Sequence, residues 1–131
     1  MKKKVVLDSF ALLAYLGNEA GCEKVKHLLA DNGIQLLMNE INVGESYCII
    51  ARERGLAQAD EFIEGILPSL PIILVANSLP EVIEAARVKA EYPLAYADCL
   101  VVATACREKA PVMTGDPEFK KVQGIIDMDW L

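Results

Sequence analysis

Four acidic residues, Asp8, Glu45, Asp98 and Asp116, are spread across the chain, but each falls at a boundary where a strand or helix could deliver it to one place. Asp8 closes the apolar run Val5-Val6-Leu7, and Asp116 follows Val112-Met113-Thr114-Gly115. Asp98 opens the run Cys99-Leu100-Val101-Val102-Ala103, and Glu45 lies just inside a helical stretch beyond Gln35-Leu36-Leu37-Met38. Carboxylates drawn into one crevice raise one another's pKa unless a cation sits among them. Hard oxygen ligands of this kind suit Mg²⁺ or Mn²⁺ better than zinc, and the chemistry such an ion supports is hydrolysis of a phosphodiester.

The elements that must position these acids alternate along the chain. Short apolar strands are expected at residues 4–7, 35–38, 72–75, 112–114 and 125–127, and helices at 10–16, 23–30, 41–54, 56–67, 78–91 and 96–109, with a helical turn at 118–121. The helix after Ser78 has the clearest start, with an N-cap serine, an early proline and Glu81 placed to complete a capping box. Strands this short and apolar, separated by helices, predict a three-layer α/β/α domain over residues 1–131, with a largely parallel central sheet of about four to five strands. Sites in such sheets form at the carboxyl ends of the strands, where Asp8 and Asp116 fall. Glu45 needs only to lean back from its helix, and Asp98 needs only a helix start that abuts that edge.

At 131 residues and 53% hydrophobic, the chain can bury a core of its own. It has no apolar stretch long enough to span a bilayer, and Asp8 interrupts the run behind Met1-Lys2-Lys3-Lys4 too early for a secretory signal, so a cytoplasmic protein is expected. Four cysteines without paired spacing read as reduced, mostly buried thiols, and the single histidine, His27, leaves no material for a histidine-based zinc site or a serine–histidine triad. The net charge of −6 is opposite to that of a general nucleic-acid binder, so a polyanionic substrate would need bound metal and local lysines, with Lys2 to Lys4 and Lys120-Lys121 as candidates. No Walker A loop or Gly-x-Gly-x-x-Gly turn is present, and no nucleotide cofactor is indicated.

Each aspartate also has an ordinary use, because an aspartate at a helix start accepts otherwise orphaned backbone N–H groups. Glu45 lies inside its helix and has no such use, so a partly buried carboxylate there needs a partner, either a salt bridge or the site itself.

The segments Val5-Val6-Leu7-Asp8-Ser9-Phe10-Ala11, Asn42-Val43-Gly44-Glu45, Ala97-Asp98-Cys99-Leu100-Val101 and Thr114-Gly115-Asp116-Pro117-Glu118-Phe119 resemble, in order, the four signature segments of PIN-domain nucleases. The small size is similar to that of VapC toxins of type II toxin–antitoxin systems. The resemblance implies a Mg²⁺- or Mn²⁺-dependent endoribonuclease using one or two ions. Asp8, Asp98 and Asp116 would ligate metal directly or through water, and Glu45, also counted among the metal-site residues, would hold a metal-bound water or accept its proton. Ser9 and Thr114 match positions where a hydroxyl can orient a carboxylate or the substrate. A homodimer and a small antitoxin that blocks the site are implied as well. Two other readings stand beside it: a PIN-fold interaction module whose acids bind metal without cleavage, and a PIN nuclease outside toxin–antitoxin systems.

Overall fold

A computed structural model describes residues 2–131. Five strands form one sheet in the order β3-β2-β1-β4-β5, where β1 is Lys3–Leu7, β2 Ile34–Asn39, β3 Ile72–Val75, β4 Val112–Thr114 and β5 Met128–Trp130. Every adjacent pair is parallel, with Val6 opposite Leu37 on one side and Val112 on the other. Seven helices connect the strands: α1 (Ser9–Leu16), α2 (Cys22–Ala30), α3 (Glu40–Arg54), α4 (Leu56–Glu61), α5 (Leu67–Ser69), α6 (Leu79–Glu91) and α7 (Tyr96–Glu108). The expected three-layer α/β/α architecture is therefore the one found.

The central strands β1, β2 and β4 carry apolar residues that are buried on both faces, as a parallel sheet covered twice requires. On one face α7 lies against the sheet, and Val101, Val102 and Phe119 close a core with Val6, Leu37 and Val112. On the other, Ala11 and Val25 of α1 and α2 pack with Val5, Leu7, Leu36 and Met113. A third cluster, built from Leu12, Met38, Val43, Phe62 and Leu67, ties α1 and α3 to the helical run beyond Gly55. Within that run a π-helical turn, Phe62–Ile66, joins α4 to α5. The helical run does not stop at Pro68 but continues through it to Ser69.

The last strand differs from expectation. Ile125 and Ile126 close a turn onto the carbonyl of Val122, and Ile126 is spent as a buried core residue. Pairing with β4 begins where the N–H of Val112 donates to the carbonyl of Asp127, so the strand is Met128–Trp130 and not 125–127. Cysteine burial is split: Cys22 and Cys99 are buried, Cys48 and Cys106 exposed, and all four are free thiols. Among the described residues no helix is long and apolar enough to cross a membrane.

Candidate active site at the carboxyl edge of the sheet

Asp8, Glu45, Asp98 and Asp116 all line one cavity of about 610 Å³ at the carboxyl ends of β1 and β4. Each arrives from a different element. Asp8 is the residue after β1 and caps α1, its Oδ1 accepting from the N–H of Ala11 at 2.9 Å. Its Oδ2 accepts from the hydroxyl of Thr114 at the end of β4. That hydroxyl oxygen in turn accepts from the N–H of Asp116 at 3.0 Å, so one threonine ties two of the acids together. Asp116 starts a 3-10 turn, Pro117–Val122, with Oδ1 accepting from the N–H of Glu118 at 2.9 Å.

Glu45 is half-buried in α3 and receives the Ser9 hydroxyl at 2.6 Å. Both hydroxyls expected near the site are thus engaged with carboxylates, Ser9 with Glu45 and Thr114 with Asp8. Asp98 lies in the first turn of α7, after Ala95 at the N-cap, and accepts no hydrogen bond from a described residue. None of the four acids takes part in an ion pair among the described residues, which answers for Glu45 the question of a salt-bridge partner.

The electrostatics follow from burial and crowding. Asp8 is only 2% exposed, and desolvation pushes its carboxyl up to about 7 despite the opposing bonds from Thr114 and Ala11; the charges of Asp98 and Asp116 push the same way. Burial also lifts Asp98 to about 6, reinforced by Glu45, Asp116 and Glu118. Two acids held this high, with no ion pair to either among the described residues, are groups whose ionised forms need a positive partner.

Among the described residues no three His, Cys, Asp or Glu side chains are gathered tightly enough to form a ready cage for an ion. That openness agrees with Mg²⁺, which keeps several of its waters and is commonly held by one or two carboxylates. The donor set is all oxygen, and Asp98 and Asp116 each keep an oxygen without a protein donor among the described residues. The residues therefore fit a hard divalent ion.

Several residues that hold the site in place were not evident from sequence. Asn42, fully buried one turn before Glu45, donates to the carbonyl of Ala97 at 3.0 Å and so fixes α3 against the start of α7. Asn39 exchanges amide bonds of 2.7 and 2.9 Å with Asn77, and also donates to Thr104 on α7 at 3.1 Å. These contacts join residues 38 to 65 positions apart, which no local pattern reports. The lysine candidates divide. Lys4 pairs with Glu108 at 3.1 Å at the amino end of β1, roughly 13 Å of strand away from Asp8. Lys121 pairs at 2.8 Å with Glu118, a cavity residue, and stays beside the site.

The cavity continues between α1, α3 and the π-helical turn, where Leu13, Leu16, Ile50 and Ile66 line it alongside the charged side chains of Glu53, Arg54 and Glu61.

Comparison with known proteins fits this geometry. The chain VapBC2 from Rickettsia felis, solved bound to a DNA fragment from its promoter, is similar at a TM-score of 0.74 and 15% identity, over 98% of each chain. VapC20 from Mycobacterium tuberculosis, described as a Sarcin-Ricin loop cleaving toxin, is similar at 0.73 and 17% identity, over 94% of this chain and 97% of that one. FitAcB from Neisseria gonorrhoeae gives 0.67 and 19%, over 95% of each. At these identities the likeness speaks for the fold alone. No curated protein sequence matches the chain. The PIN domain family model, however, matches residues 5–125, the span that carries all four acids and the sheet edge gathering them, and the chain belongs to the PIN domain family.

Proposed function

We propose that this protein is a Mg²⁺- or Mn²⁺-dependent endoribonuclease, the toxin of a toxin–antitoxin pair acting in the cytoplasm. The observation that carries the reading is the convergence of Asp8, Glu45, Asp98 and Asp116 from four elements on one cavity without a pairing cation. Family membership and the fold shared with VapC20, a loop-cleaving toxin, support it.

Asp8, Asp98 and Asp116 would hold one or two ions, directly or through water. When bound, such an ion supplies Lewis acidity at a phosphoryl oxygen and makes water a better nucleophile near neutral pH. Thr114 keeps the Asp8 carboxylate oriented, and Ser9 does the same for Glu45. Glu45 orients the attacking water and takes its proton as the new P–O bond forms. The P–O bond to the leaving oxygen breaks, and that oxygen collects a proton from solvent.

The leucines and isoleucines that line the cavity between α1 and α3 support an antitoxin partner, because an amphipathic helix could lay its apolar face there and reach an arginine into the acids. Similar chains are found in VapBC complexes. A homodimer would cover the exposed Ile73 and Leu74 of edge strand β3.

The test is to incubate purified protein with structured RNAs, including tRNAs, in Mn²⁺ or Mg²⁺, beside EDTA and Asp8→Asn controls. Cleavage abolished by both is expected. Metal binding without cleavage, after removal of any co-purified inhibitor, would favour the interaction module instead.

A further inference from the structure

The chain has three Phe, four Tyr and one Trp, and only Phe10 and Tyr96 are exposed, at 44% and 47%. Both lie two residues from an acid of the site, Phe10 after Asp8 and Tyr96 before Asp98. Phe10 lines the cavity together with Asp8, Asp98 and Asp116. An aromatic ring left nearly half in water has forgone the burial that the other rings obtain, and it does so at the mouth of a charged site.

Its position is fixed by Gly115. A Cβ at 115 would fall against Cδ1, Cε1 and Cζ of the Phe10 ring, closer than nonbonded carbons approach, so glycine is what lets the ring edge settle there. Glycine thus makes room for an exposed ring beside residue 115, in the same cavity as Asp8 and Asp116.

The net charge of −6, with Lys4 engaged at the far end of β1, leaves the protein little general attraction for a polyanion. Stacking offers affinity that does not depend on charge, because every base presents a π-face. We propose that Phe10 is a base platform, stacking the nucleobase of a nucleotide next to the scissile phosphate of single-stranded RNA, with Gly115 setting the ring's place. This rests on the ribonuclease reading for the identity of the ligand.

The test uses a short single-stranded RNA carrying 2-aminopurine at successive positions, in Ca²⁺ to hold back cutting, with wild type, Phe10→Leu, Phe10→Trp and Gly115→Ala. Wild type and Phe10→Trp quench the probe. Phe10→Leu binds about tenfold more weakly, the lower part of the range for one stacked base. Gly115→Ala, which displaces the ring without removing it, weakens binding in the same direction. An abasic residue at the quenched position erases the difference between wild type and Phe10→Leu. Equal binding by Phe10→Leu and wild type overturns the proposal. So does a loss by Phe10→Leu that persists on abasic RNA, since it would report packing and not stacking. In Mg²⁺ the two readings separate: stacking without cutting keeps the platform and removes the nuclease, whereas cutting by Phe10→Leu at unchanged KM does the reverse.

Discussion

Helices α6 and α7 begin in the same way on paper and are used in opposite ways. Each carries an acid at its third helical position, Glu81 in α6 and Asp98 in α7. Glu81 is consumed by the fold: its carboxylate accepts the N–H of Ser78 at 2.9 Å while the Ser78 hydroxyl accepts the N–H of Glu81 at 3.4 Å. Those bonds hold its pKa below the usual carboxylate range, with Arg107 adding to the effect. Asp98 follows Ala95, whose methyl group can return no hydrogen bond, and burial, reinforced by the charges of Glu45 and Asp116, pushes it up to about 6. One acid is satisfied by its own helix. The other is held without a partner, in a position that costs stability, and such positions are where function is found.

The largest way to break this comparison is in catalysis. Asp98→Asn should lower RNA cleavage by ~10²-fold or more, the scale on which a single catalytic group is felt, whereas Glu81→Gln should leave it within about twofold. Initial rates on one RNA substrate check both, and a similar loss in the two variants would dissolve the distinction.

Next comes pH. Asp8 has a folded pKa of about 7 against an ordinary aspartate value of 3.8, so the native state holds its proton to higher pH than the unfolded chain does. Stability of the ion-free protein should therefore fall as pH rises from about 4 to 7 and level off above, by on the order of 1–3 kcal/mol. Asp8→Asn keeps a capping oxygen but cannot ionise, and should reduce that slope to the part that Asp98, raised to about 6, contributes. Urea unfolding in EDTA across the range measures it.

Smaller again is the structural acid. Ser78→Ala should cost about 1 kcal/mol by removing one half of the capping box, with no effect on cleavage. Thr114→Val lies between the two classes: it strips a donor from buried Asp8 and should cost about 1–2 kcal/mol, while slowing cleavage through the misplaced carboxylate. Denaturation midpoints and rates measured on the same samples separate those contributions.

The contrast also explains what could be read beforehand. Ser78-x-x-Glu81 is a local signal, and the helix after it runs from Leu79 to Glu91 as the pattern implied. Strand and helix alternation was legible for the same reason, because apolar runs of four or five residues between breakers leave few alternatives. Asp8, Asp98 and Asp116 were legible because each flanks such a run, and Glu45 because a carboxylate inside a partly apolar helix has no capping use. What escaped was long-range. Nothing near Asn42 says that it will bond Ala97, and nothing near Lys4 says that it will pair with Glu108 at the edge away from the site. The final strand escaped because Ile125-Ile126 is as apolar as a strand, yet Ile126 is taken by the core before β5 begins.

The central claim is that the acids of the cavity are held for a divalent ion, and melting temperature against Mn²⁺ concentration tests it most directly. At one hundred times the dissociation constant, wild type and Glu81→Gln should both rise by roughly 10 °C, corresponding to ~2.7 kcal/mol, while Asp98→Asn should rise far less. No rise in wild type, or an equal rise in Asp98→Asn, would contradict the account.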